Sequence, residues 1–286
     1  MKNRTAADWA VSIVAYGLML IFALATVIPF ANILAKTFSE DWAVVSGRVG
    51  ILPIGFQTDT ICYVLSTKAF WNSFSISGAV TVVGTIAGIL ITAVTAYPLS
   101  KKRLPGIKVI LFLFVFTMLF SGGMIPDYLN MKRLGLLNTF PVLILPALLS
   151  VYNMLIIKNY YESLPESLEE SAKLDGASNV TILFKIIAPL SVPAYATIIL
   201  FILVTYWNSY MSPMMYTTKA TLKTLQLYLR DLVLEASNSE ASVIAENQSW
   251  SNVTSEGVRA ATIVASVVPM LIIYPFIQKY FPRACD

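Results

Sequence analysis

The sequence contains no histidine. That removes the side chain most often used as a general base near neutral pH, and the commonest metal ligand with it. Its two cysteines, Cys62 and Cys285, are too few for a metal site. No Gly-x4-Gly-Lys-Ser/Thr stretch occurs, so the chain lacks the phosphate loop with which many proteins hold ATP. Charge is scarce too: 13% of residues are Asp, Glu, Lys or Arg, and the net charge is only +4. No basic stripe interleaved with aromatics is present, which excludes a nucleic-acid surface of the usual kind.

What the sequence has instead is length without charge. Uncharged runs lie at 9–35, 69–100, 109–126, 134–157, 186–218 and 260–278. About 20 apolar residues in a helix cross a hydrocarbon core of about 30 Å. Only helices and closed barrels satisfy every backbone group in lipid, and these runs are too long for barrel strands. They predict an all-α integral membrane protein with six transmembrane helices, over residues 9–33, 70–98, 107–121, 139–159, 192–212 and 259–280. Residues 1–69 are then an N-terminal helix with an external segment, and residues 70–282 a core.

The first run follows Lys2 and Arg4, as a signal peptide would, but it is too long and lacks a small-residue cleavage site. A retained anchor is expected. Alternating the loops divides Lys and Arg eleven to nine, which barely decides orientation. The four positives in the short loop Lys101–Lys108 do decide it, and they place both termini in the cytoplasm. Cys62 and Cys285 then lie on opposite sides of the membrane and do not pair. No Asp, Glu, Lys or Arg sits well inside the apolar runs. Ion-coupled pumps place such groups near mid-membrane, so energy for uphill movement is expected from outside the chain.

Punctuation within the runs is informative. Gly84 and Gly88, four residues apart, make a face that lets another helix approach closely. Ser121-Gly122-Gly123 breaks the third run, and Pro269 and Pro275 can kink the last. The loop 213–258 is too long for a simple connector. Between the fourth and fifth helices, residues 162–190 carry Glu162, Glu166, Glu169, Glu170 and Asp175. Ser163 and Glu166 have capping-box spacing, and Leu164, Leu168 and Ala172 make an apolar stripe. Glu169 and Lys173 are spaced for an i,i+4 pair. Gly176 stands where a left-handed cap is wanted, and Ser178 can cap a second helix, Val180–Ile187, which Pro189 ends or kinks.

Glu170-Ser171-Ala172, then Gly176, Ile186 and Pro189 resembles the EAA motif of bacterial ABC importer permeases. Ser171 replaces an alanine of that pattern, and Ala188 a leucine. The stretches "FSGGMIPDYL", "LGLLNTFPVLILP", "SLEESAKLDGAS", "YWNSYMSP" and "YPFIQKYF" are similar to carbohydrate-uptake permeases, in the LplC- and YtcP-like branch for oligosaccharides and polysaccharides.

The resemblance implies the ABC transmembrane type-1 (MetI-like) fold in a bacterial cytoplasmic membrane. It implies a non-catalytic subunit with no cofactor of its own, ATP and Mg being held by two separate ATPase subunits. Leu168, Glu170, Ser171, Ala172, Leu174, Asp175, Gly176, Ile186 and Pro189 would form the coupling element that docks on the ATPase. A second homologous permease subunit and an external solute-binding protein, met by the loop 213–258, would complete the assembly. Tyr152, Asn153, Tyr206, Trp207 and Asn208 are candidates for the solute path, with interhelical hydrogen bonding as the plainer alternative. A permease for a peptide or amino acid, an ion-coupled carrier, or a membrane scaffold remain the competing functions.

Overall fold

The computed structural model describes residues 6–101, 104–238 and 253–278. In chain order its helices are α1 (Ala6–Thr37), α2 (Asp41–Val45), α3 (Asp59–Ser66), α4 (Lys68–Leu99), α5 (Ile107–Leu119), α6 (Met124–Arg133) and α7 (Val151–Ser163). There follow α8 (Glu166–Leu174), α9 (Asn179–Ile182), α10 (Ala188–Leu190), α11 (Val192–Trp207), α12 (Met211–Tyr216), α13 (Leu225–Asn238) and α14 (Ser255–Gln278). Among the described residues, extended pairing is confined to an isolated bridge between Ser39 and Phe56.

Among the described residues, three stretches are unbroken and long enough to span a membrane: Val11–Thr37, Lys68–Leu99 and Ser255–Pro275. The other three expected spans fall on bent pairs. The span 139–159 covers most of one, whereas 107–121 and 192–212 hold only the α5 and α11 arms, with Met124–Arg133 and Asn179–Leu190 lying outside them. α5 and α6 meet at 111°, where Ser121-Gly122-Gly123 interrupts the helix. The turns Phe140–Ala147 meet α7 at 54°, and Asn179–Leu190 meets α11 at 86°. Proline explains the latter two. Pro141 and Pro146 leave 3₁₀ turns in place of an α-helix, and Pro193 follows the break at Ser191. The last span, by contrast, stays helical through Pro269 and Pro275.

Contacts divide the chain into two units, Met1–Lys68 with Asp231–Pro269, and Ala69–Arg230 with Met270–Asp286. In the first unit, α1 exposes large apolar side chains along its length, among them Tyr16 and Phe22. The segment after it is folded. Asn32 donates to the carbonyls of Val49 at 2.9 Å and Gly50 at 2.8 Å, while Ala35, Ala43, Val44 and Val49 form a small core. Asp41 accepts from the backbone N–H and the hydroxyl of Thr254, both at 3.3 Å, and Lys36 pairs with Glu256 at 3.4 Å. These bonds tie the segment 36–68 to the start of α14.

The second unit holds the larger core. Val80 of α4, Met154 and Ile157 of α7, Ile182 and Ile187 around α9, and Ile198 of α11 are all buried in it. In water such burial is driven by exclusion of apolar surface, but inside lipid the force is close packing. Small residues permit that packing. A Cβ on Gly84 would fall 2.5 Å from the Tyr206 ring, and one on Gly88 would fall 3.3 Å from Ile202. The glycine pair is therefore the seam along which α4 meets α11.

Candidate functional site

The acidic stretch between α7 and α11 folds differently from the expected capping box. Ser163 is the last residue of α7, and its hydroxyl donates to the Tyr160 carbonyl at 2.7 Å. The first residue of α8 is Glu166, and its N-cap is Pro165, which offers no side-chain acceptor. The cause is Pro165 itself: a residue before proline is pushed out of the helical region, and Leu164 is extended with ψ 145°. Ser163 therefore belongs to the helix that ends rather than to the one that begins.

The end of α8 agrees with expectation. Gly176 takes φ +79°, a left-handed conformation that costs other residues about 1–2 kcal/mol. Its N–H donates to the Lys173 carbonyl at 3.0 Å, and the Ala177 N–H reaches back to Ala172 at 2.9 Å. This pair of bonds is a Schellman cap, and it turns the chain sharply. Ser178 then caps α9, its hydroxyl accepting from the Thr181 N–H at 3.2 Å. The second helix runs further than Val180–Ile187. It starts at Asn179, passes through a π turn at Leu183–Ile187, and ends at Leu190. Pro189 has no N–H for the Lys185 carbonyl, and the widened turn lies just ahead of it.

The two faces of α8 differ. Ala172 and Glu169 are buried against the unit, with Ile187 beneath α9 and Ile186 half-buried beside it. Glu170, Ser171, Leu174, Asp175 and Gly176 are exposed, as are Leu168 and Pro189. Leu174 is the extreme case, with 90% of its surface bare. Of the expected apolar stripe, only Ala172 is fully covered. The expected i,i+4 pair is also replaced. Glu169 pairs with Lys101 at the end of α4, 68 residues away in sequence, because its carboxylate faces the bundle rather than lying along the helix. Lys101, Glu162, Leu164, Glu169 and Glu170 are among the residues lining a recess of about 300 Å³ there.

Of the five solute-path candidates, the structure brings three together. Tyr152 and Asn153 at the start of α7 and Tyr206 on α11 line one groove of about 670 Å³. Tyr206 is held by its hydroxyl, which donates to the Ile144 carbonyl at 2.9 Å. Trp207 points elsewhere, packing edge-on to Phe74 with centroids 5.9 Å apart, and Asn208 is the exposed cap of α11. Neither lines the groove. Ser150 and Thr205 do, and sequence reasoning missed both. The available signal was a hydroxyl residue one turn from Asn153 and another beside Tyr206, in otherwise apolar runs. No residue lining the groove is charged. It offers rings, hydroxyls and one amide on an apolar wall, a surface suited to a polar, uncharged chain such as a saccharide, with no charge that would select an anion or a cation.

Residues 103–285 match a family model described as "Binding-protein-dependent transport system inner membrane component". The "Polygalacturonan/rhamnogalacturonan transport system permease protein YtcP" of Bacillus subtilis (strain 168) is 41% identical, covering 99% of this chain and 97% of that protein. "Protein LplC" of the same organism is 39% identical over 90% of this chain and 87% of its own length. Among solved structures, a chain from the "Crystal structure of a bacterial ABC transporter involved in the import of the acidic polysaccharide alginate" superposes with a TM-score of 0.91. It is 35% identical, and the match covers 98% of this chain and all of that one.

Proposed function

The chain belongs to the family of binding-protein-dependent transport system inner membrane components, and on that premise we propose that it passes an acidic oligosaccharide or polysaccharide across the cytoplasmic membrane. ATP hydrolysis takes place on two separate ATPase subunits, which hold the nucleotide and Mg. They dock on α8 and its glycine turn. A second, homologous permease subunit completes the pathway, and an external binding protein delivers the solute. Both termini lie in the cytoplasm, on the side of α8.

The observation that carries this reading is the bare tip of α8. Leu174 is 90% exposed at the end of a rigidly capped helix, in a chain with no phosphate loop of its own. An exposed leucine beside an exposed carboxylate, Glu170, suits an interface with a small apolar centre and one placed charge. The uncharged groove, with rings to stack on and hydroxyls and an amide to hydrogen-bond, supports a saccharide, and the acidic character is taken from the relatives. The relatives' printed substrates, polygalacturonan and alginate, share that chemistry.

The test is purification of the assembled complex, followed by uptake of galacturonate oligosaccharides into vesicles. Uptake is expected to require ATP and the binding protein. Leu174→Asp is expected to abolish co-purification of the ATPase without changing the yield of folded permease. Uptake driven by an ion gradient in place of ATP, or an ATPase still bound to the Leu174→Asp variant, would refute the reading.

A further inference from the structure

We infer that Lys101 is a positioning residue that locks α8 to the membrane helices, the first link of a chain running from Glu169 through Lys101 and Tyr97 to Tyr161 and Tyr195. The inference rests on the reading of α8 as the element that meets the ATPase, and it adds how a push on α8 reaches the bundle.

The nine residues of α8 are joined to the rest of the chain by an extended Leu164-Pro165 and a glycine turn. Its buried apolar seat is a single alanine, Ala172. Such a seat alone would let the helix rock when pulled. The ammonium of Lys101 opposes that motion from two sides. It pairs with the Glu169 carboxylate, whose side chain is only 11% exposed, and it stands 4.4 Å from the centre of the Tyr97 ring. The Lys101 side chain is 29% exposed, so a cation held between a carboxylate and an aromatic face is partly shielded here and less screened than a fully exposed pair.

From Tyr97 the contact passes inward. The Tyr97 ring meets Tyr161 edge-on at 6.3 Å, and Tyr161 meets Tyr195 edge-on at 6.4 Å with the two hydroxyls hydrogen-bonded. Beside this pair, the Tyr160 hydroxyl donates to the Leu190 carbonyl at 3.1 Å. Tyr97 lies on α4, Tyr161 on α7 and Tyr195 on α11. One charge therefore touches a line of rings drawn from three helices, two of which also wall the groove. Displacement of α8 is transmitted to those helices together, as a rigid-body change requires.

The experiment uses the full reconstituted complex with the variants Lys101→Gln, Glu169→Gln, the double variant and Lys101→Arg. It measures solute moved per ATP hydrolysed, ATPase co-purification and thermal unfolding. Each neutral variant is expected to lose about tenfold in solute moved per ATP, with the ATPase still bound. The double variant should be no worse than either single one, and Lys101→Arg should stay within about twofold of the unaltered complex. A purely structural role would shift the unfolding temperature and leave the transport-to-ATP ratio unchanged; that result overturns the inference. So does a double variant in which the two losses multiply. Loss of coupling in the unaltered complex would instead strike the underlying reading of α8, and the inference with it.

Discussion

Replacing Gly84 with alanine tests the seam between α4 and α11. The new methyl carbon would lie 2.5, 2.7 and 2.8 Å from three atoms of the Tyr206 ring. Carbon atoms rest at about 3.5–4.0 Å, so the ring must retreat by about 1 Å or the helices must part. Tyr206 has little room to retreat: it is 2% exposed and its hydroxyl is tied to the Ile144 carbonyl. Overpacking of this kind costs about 1–3 kcal/mol, and losing the buried hydrogen bond costs about 1–3 kcal/mol more. Alanine returns about 1 kcal/mol of helix propensity. The balance is a destabilisation of about 3 kcal/mol, or roughly a 150-fold fall in the ratio of folded to unfolded protein. Gly88→Ala is the control. Its methyl would meet Ile202 Cγ2 at 3.3 Å and the Leu148 carbonyl at 3.4 Å, a gap a few tenths of an ångström short at most, so that variant should lose far less than Gly84→Ala. Unfolding in detergent, followed by tryptophan fluorescence, measures both. Equal stability of the two variants would refute the argument, because it would mean the Tyr206 ring is not fixed where the hydrogen bond places it.

Gly176→Leu forces a branched residue into φ +79°, with nothing within 4 Å to clash. The expected cost of about 1–2 kcal/mol is therefore all backbone strain, and it should uncouple ATP hydrolysis from uptake while membrane insertion, read by cell fractionation, is unchanged. Glu170→Ala is expected to uncouple in the same way, since truncating one partner of an interfacial charge pair costs about 2–5 kcal/mol; wild-type stimulation of ATPase activity by solute would refute it. Asp41 offers a test by pH. Burial pushes its carboxyl above the ordinary 3.8, against the pull of two Thr254 hydrogen bonds and with a smaller push from Asp59. The folded state thus holds this proton to a higher pH than the unfolded chain does, so stability falls as pH rises from 3.8 through the folded value. Asp41→Asn should flatten that part of the unfolding profile, and an unchanged slope would count against it.

Features that depend on neighbours along the chain were legible in the sequence. The apolar runs, the glycine seam, the left-handed turn at Gly176 and the Ser178 cap each follow from a few adjacent side chains and from backbone sterics. Ser163 was misread although the signal stood beside it. Pro165 excludes the helical conformation for Leu164, and that local rule outweighs the capping spacing. In the residues themselves the loop 213–258 was legible only as long; its helix α13 lies at Leu225–Asn238, and residues 239–252 fall outside the described residues, as does Cys285.

By itself the sequence determined that the chain is helical and built for a membrane, and its resemblance to the EAA motif made the segment between α7 and α11 the one expected to meet a partner. Period, length and missing charge suffice for that, because lipid leaves the backbone few alternatives. Only the tertiary structure decided which acid of that segment turns inward. Glu169 and Glu170 are adjacent and chemically alike, but a helix points successive side chains about 100° apart. One therefore turns inward to meet Lys101, while its neighbour lies on the exposed face of the helix. Tertiary structure likewise decided that Tyr152, Asn153 and Tyr206 share a wall while Trp207 does not. Residues side by side in sequence point apart on a helix, and those distant in sequence meet wherever two helices cross.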